Sequence, residues 1–185
     1  MSEELMIREA SPTLAGIKTG SLFTCPYSSK DEMMTDIRDL NHFLVKKGLC
    51  LLPLRFRDDR VLLYLFRPSN LERDLTDYQA QKILEEAGYR QKGFRHCLTE
   101  LVRRVNHADN KTFPHEIGLF LSYPPEDVRG FIEQHAAGSK MTGCWKVYGD
   151  VPAAKRRFEM YDKCTAAYSR MLADGKSLIQ LAVAD

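Results

Sequence analysis

An α/β fold, with α+β as the alternative, is predicted for this chain by three patterns. Two apolar, β-branched and aromatic segments, Leu49 to Arg57 and Arg60 to Arg67, are separated only by Asp58-Asp59 and read as an antiparallel hairpin. Several stretches repeat apolar residues at three and four residue spacing and read as amphipathic helices. In the C-terminal half, short apolar runs alternate with such helical patterns, the arrangement of crossover units in a parallel sheet. The expected architecture is a mixed sheet of about five strands, with the N-terminal hairpin plus a C-terminal βαβαβ unit, flanked by helices.

The elements follow in order. Ser11 to Cys25 mixes turn formers with a short apolar segment, so a turn and then a strand near Ser21 to Thr24 are expected. Asp31 to Lys47 carries Met33, Met34, Ile37, Leu40 and Leu44 on one face, acids at its start and Lys46-Lys47-Gly48 at its end, which predicts a helix packed on a sheet. Pro53 has no donor for a ladder and places the first hairpin strand at an edge or a bulge. Helices are predicted near Asp77 to Ala87, stopping at Gly88, and over Phe94 to Asn106, where Phe94, Cys97, Leu98, Leu101, Val102 and Val105 form the apolar stripe. Asn106 to Thr112 is polar and turn-prone.

Beyond that connector, Ile117 to Tyr123 is short, apolar and aromatic, and reads as a buried strand. Pro125 fits the first position of a helix to Ala137, with Glu126 and Asp127 in the favourable field of its first turn and Val128, Phe131, Ile132 and His135 on its inner face. Cys144 to Tyr148 reads as the next strand. Pro152 to Leu172 reads as a helix capped by Asp150 and ended by Gly175, and Ser177 to Val183 as a third strand or a continuing helix.

Composition bounds the function classes. With 185 residues the chain buries roughly 70% of its unfolded surface, enough for one core, so a single globular domain over 1–185 is expected. Apolar residues at 44% and charged residues at 28% match a soluble globular protein and argue against disorder. A net charge of +2 gives no electrostatic reason for nucleic acid as a partner. The start lacks the basic and apolar regions of a secretory signal, and the runs Leu49 to Leu54 and Val61 to Phe66 fall far short of the roughly 20 residues of a membrane span. A cytoplasmic protein with no membrane partner is expected. The five cysteines are odd in number and widely spaced, as for reduced thiols; Cys50, Cys97 and Cys164 read as small core hydrophobes.

Several motifs can be set aside. Gly16 to Thr19 lacks the spacing of a phosphate loop, and Lys18-Thr19-Gly20 copies a lysine box without the accompanying Ser-x-x-Lys. His115-Glu116 lacks the second histidine of a zinc helix, and His42, His96, His107 and His135 are scattered, so no metal site is predicted. Arg55, Arg57, Arg60 and Arg67, interleaved with Phe56 and Phe66, suit either single-stranded nucleic acid or the protection of a sheet edge, and the small net charge favours the second. Thiol chemistry at Cys25 or Cys144 would require an exposed, acidified thiol.

Ligands of an open parallel sheet bind beyond the carboxyl ends of its strands, here Ser122 to Pro124 and Tyr148 to Asp150. The residues expected to bind a ligand are Lys18, Thr19, His115, Glu116, Tyr123, Lys146 and Tyr148. Glu126 and Asp127 in the helix's first turn compete with an anion, so a small neutral or cationic ligand is expected. The alternative is a non-enzymatic interaction module built on the Arg55 to Arg67 hairpin. Neither a cofactor nor an oligomeric state is legible.

Three segments, Ser11 to Phe23, Pro114 to Val128 and Cys144 to Tyr148, carry a resemblance to a bacterial family designated domain of unknown function 3793. Their order and spacing extend it over nearly the whole chain. One position departs from the family pattern: Ser122 stands where glycine is usual. The resemblance implies a bacterial, intracellular protein and supplies no catalytic residues.

Overall fold

The computed structural model describes residues 1–90, 93–109 and 112–184. The chain falls into two compact units, Met1–Ser69 with Tyr161–Asp185, and Asn70–Met160.

The first unit begins with a helix the sequence did not announce, α1 (Glu3–Leu14). Ser2 caps it, its hydroxyl accepting from the Leu5 amide. Met6, Ile7, Ala10 and Leu14 bury a stripe at helical spacing, and that burial outweighs the single helical bond that Pro12 removes in the last turn. The expected turn thus starts at Ala15, where the Pro12 carbonyl collects the amides of Ile17 and Lys18. After it come β1 (Gly20–Pro26), α2 (Lys30–Leu44) with a tight turn over Val45–Lys47, β2 (Cys50–Arg57) and β3 (Arg60–Phe66). The α2 helix and the hairpin follow the predicted bounds closely, and Gly48 takes the left-handed conformation (φ 72°) that ends the former.

The three strands form an antiparallel sheet in the order β1-β3-β2. β2 lies at an edge and its register slips between Pro53 and Arg55, so both expected consequences of Pro53 occur together. Asn41 of α2 guards that edge: its side-chain amide donates to the Leu51 carbonyl and its oxygen accepts the Leu51 amide, each at 2.8 Å. Phe23, Cys25, Val61, Leu63 and Leu65 alternate along their strands towards α1, α2 and the short α9 (Leu178–Leu181), and this is the unit's core.

Arg67, at the end of β3, is only 1% exposed. Its guanidinium donates to the carbonyls of Thr13 (2.9 Å), Leu14 (2.8 Å), Val183 (2.8 Å) and Lys47 (3.4 Å), so one cation answers the open carbonyl ends of three helical segments.

The second unit holds α3 (Pro68–Leu75) from Asn70 onward, α4 (Tyr78–Glu86), α5 (Phe94–His107), α6 (Ile117–Phe120), α7 (Pro125–Gln134), the two-residue strands β4 (Met141–Thr142) and β5 (Lys146–Val147), and the start of α8 (Val151–Ala173). α5 buries Cys97, Leu101 and Val105 of its predicted stripe; α4 forms where predicted and buries Ile83 and Leu84, while Tyr78, expected on its apolar face, is exposed, with Asp77 capping that helix and Gly88 (φ 86°) ending it. Of the expected connector, residues 110 and 111 lie outside the described residues.

The mixed fold is as expected, with helix at 57% well ahead of strand at 14% and both sheets antiparallel, which is the α+β form. The C-terminal βαβαβ unit is not what forms. Ile117 to Phe120 is one helical turn, β5 pairs antiparallel with β4, and Ser177 to Val183 contains α9, closed by a capping box from Ser177 and Gln180. The four residues Ile117 to Phe120 are all buried, so no polar face marks their period, and a short apolar run reads alike as strand or helix. What closes the turn is Ser122, at φ 57°: its amide reaches the Leu119 carbonyl and that of Tyr123 the Gly118 carbonyl. This is a Schellman closure with serine in the position where glycine is favoured. Ile132 and His135, expected on the inner face of α7, are both exposed; the helix ends at Gln134 and His135 turns away from it at φ 51°.

Among the described residues no helix is long and apolar enough to cross a membrane.

Candidate functional site

The site in the second unit is built around Asp127, in the first turn of α7 and 3% exposed. One carboxylate oxygen accepts the backbone amides of Tyr148 and Gly149, and the other accepts the Trp145 indole N–H, all at 2.7 Å. A buried carboxylate is costly alone, and these three charge-assisted bonds offset that cost while fastening the β4–β5 hairpin to α7. Lys140 adds a bond from its Nζ to the Gly149 carbonyl at 3.0 Å. Gly130 lets the Tyr148 ring lie directly on α7, since a Cβ there would come within 2.3 Å of that ring. The Tyr148 hydroxyl donates to the His135 carbonyl at the helix end.

Fastened in this way, the hairpin and α7 enclose with α6 a cavity of about 280 Å³. Ile117, Val128 and Phe131 form an aliphatic and aromatic floor. Tyr123 stacks on Trp145 with ring centres 4.8 Å apart and planes 27° from parallel, and Phe158 meets the indole edge-on. Besides Asp127, whose oxygens are taken by the three donors above, and the Tyr123 hydroxyl, the polar residues lining this cavity are His115 and Lys146, the latter bonded through Nζ to Thr142 at 3.3 Å. The His115 ring packs edge-on against Phe131 at 4.8 Å. Burial, helped by the nearby His135, lowers its pKa from the ordinary histidine value, so the imidazole is neutral at neutral pH.

Of the seven residues singled out from the sequence, His115, Tyr123 and Lys146 thus line one cavity. Tyr148 supports its wall instead, ring against Gly130. Glu116 turns elsewhere: it is buried, accepts from the Tyr89 hydroxyl at 3.1 Å and from Arg104 at 3.4 Å, and lines a separate cavity. Lys18 and Thr19 belong to the first unit, Lys18 with its Nζ 5.7 Å from the Tyr161 ring centre and Thr19 buried with its carbonyl on the Arg67 amide. The cavity does not lie at the carboxyl ends of parallel strands, which this unit lacks among its described residues.

Val128 was read from the sequence as an inner-face residue, Trp145 as part of a strand, and Asp127 as a dipole partner of its own helix. No local pattern announces that Asp127 reaches 18 to 22 residues ahead. The basic hairpin surface shrinks on folding: Arg67 and Phe66 are buried, and Arg60 is bonded to Thr24. Burial raises the pKa of Cys25, Cys50, Cys97 and Cys164, so none of these is an activated thiol; Cys144 is exposed. Among the described residues no group of three or more His, Cys, Asp or Glu is placed to hold a metal.

The fold and cavity define a mixed helix and sheet protein with an aromatic-walled pocket beside a helix–hairpin latch. The chain belongs to the family described as Protein of unknown function (DUF3793), whose model matches residues 6–182. No curated protein and no solved structure matches it.

Proposed function

We propose that the cavity between α6, α7 and the β4–β5 hairpin binds a small, flat, neutral molecule. The observation that carries this reading is the Tyr123–Trp145 stack, facing an apolar floor with His115, Lys146 and an Asp127 carboxylate already bonded to three protein donors beside it. A volume of about 280 Å³ sits at the lower end of ligand pockets and suits one or two rings. The carboxylate that favoured a cation in the sequence is spent on three protein donors, and the Lys146 ammonium opposes a second positive charge. Lys146 and the neutral imidazole are suited to orient the ligand by hydrogen bonds to a carbonyl or ring nitrogen. The setting we propose is the bacterial cytoplasm, in keeping with five cysteines that are thiols rather than disulfides.

Trp145 is the chain's one tryptophan and so reports directly on the cavity. Titration with benzamide, benzyltrimethylammonium and benzoate should give saturable quenching strongest for benzamide, weakened in Tyr123→Leu and Lys146→Ala. Native mass spectrometry of protein isolated from its own cells should show a retained small molecule. Equal, linear quenching by all three probes, with no retained mass, sinks the reading.

A further inference from the structure

A second cavity of the Asn70–Met160 unit, about 630 Å³, shares no lining residue with the aromatic pocket. Its described lining includes Tyr89, Arg90, His96, Glu100, Arg103 and Arg104, so three guanidiniums and one carboxylate stand on its walls.

The guanidiniums of α5 are held in place. Glu100, Arg103 and Arg104 share one helix face at three and four residue spacing. Arg103 grips both oxygens of Glu100, Nη2 to Oε1 at 2.7 Å and Nε to Oε2 at 2.8 Å, while Arg104 Nε reaches Oε1 at 2.8 Å. The bonds from Arg103, then those from Arg104, hold the Glu100 carboxyl at about 2, so it stays an anion throughout the physiological range. Arg104 also lies over the Tyr89 ring, 4.5 Å from its centre, and bonds to the buried Glu116. Two arginines would suffice to answer Glu100 and Glu116. Arg90 and His96 on the same cavity go beyond that need, and the Arg103 side chain is 59% exposed.

We propose that this cavity binds the phosphate monoester of a small molecule. A phosphate ester is a dianion at neutral pH, drawn to a wall where Glu100 and Glu116 together answer only two of three guanidiniums. Its oxygens suit the planar fork of a guanidinium, and oriented arginines lose little freedom in binding it. The volume suits a whole small molecule, such as a mononucleotide.

The test is calorimetry on the full chain at low ionic strength with inorganic phosphate, AMP and glycerol phosphate, and with adenosine and glycerol as unphosphorylated controls. Expected is saturable binding of at least one ester, at least about tenfold tighter than its control and weakened by added salt. Arg103→Gln should weaken it about tenfold or more while leaving the thermal midpoint near that of the parent, since the side chain is largely exposed. Arg90→Gln gives a second reading should Arg103→Gln fold poorly. No binding of either ester, equal binding of ester and control, inorganic phosphate as tight as both esters, or indifference to the substitution in the folded variant would each overturn the proposal.

Discussion

Asp127→Ala removes one side chain and leaves three donors behind: the Trp145 indole N–H and the amides of Tyr148 and Gly149. Bonds to a charged acceptor contribute about 1.5–3 kcal/mol each, so the raw sum is roughly 5–9 kcal/mol. Gly149 is only half-buried and can recruit water, and truncation also lifts the desolvation cost of the carboxylate; about 3–5 kcal/mol of destabilisation is the expected net. That is a large part of the roughly 5–15 kcal/mol available to a typical domain. Urea unfolding followed by Trp145 fluorescence measures it where it matters, because the indole is itself one of the three donors. The variant should unfold at clearly lower urea with the native emission moved to the red, and Asp127→Asn should fall between it and the parent, since an amide keeps one acceptor oxygen. An Asp127→Ala protein within about 1 kcal/mol of the parent, with unchanged emission, would refute the latch.

Three further outcomes follow from the same contacts. Arg67→Met strands the carbonyls of Thr13, Leu14, Val183 and Lys47 and should cost about 3–5 kcal/mol in urea or thermal unfolding, with Arg67→Lys losing less; a midpoint equal to the parent's would show that these carbonyls find other donors. Ser122→Gly relieves a left-handed serine and should stabilise by up to about 1 kcal/mol, read as a raised thermal midpoint, whereas a lowered midpoint would mean the Ser122 hydroxyl bond to the Leu121 carbonyl outweighs the backbone strain. His115 has its folded pKa depressed below the unfolded value of about 6.5. Its contribution is therefore present above that value and lost as pH falls through it towards the folded pKa, because the unfolded chain binds the proton more readily. Urea midpoints measured on either side of that window should fall more in the parent than in His115→Gln, and the imidazole NMR signal should titrate below the ordinary value; titration above it would reverse the sign and the reasoning.

How legible this was depended on whether an element declares its period within itself. α2, α4 and α5 each carry an amphipathic stripe and end signals, and the Pro53 edge and Asp58-Asp59 hairpin rest on chain geometry that tertiary context does not alter. α1 was hidden because Pro12 and the following turn formers mask a stripe that lies mostly upstream of them. Ile117 to Phe120 misled because a wholly buried run has no polar residues to fix its phase, and the parallel architecture inferred from it fell with it. His115, Tyr123 and Lys146 nonetheless line one cavity, because residues flanking an apolar run stay near one another however that run is folded.

The latch also explains why a pocket can persist beside a two-residue hairpin. β4 and β5 are far too short to hold a shape by their own ladder, which contributes little outside a larger sheet. What orients Trp145 is the bond from its indole to Asp127, so the wall that would receive a ligand is set before any ligand arrives. Stability and recognition therefore share Asp127 but part at Lys146, which is half-buried and bonded only to Thr142 among the described contacts. Lys146→Ala should consequently alter probe binding with little change in the urea midpoint, and Asp127→Ala should weaken binding and lower the midpoint together; if Lys146→Ala unfolded as readily as Asp127→Ala, the hairpin would be held by its cation and the division of roles argued from these distances would fail.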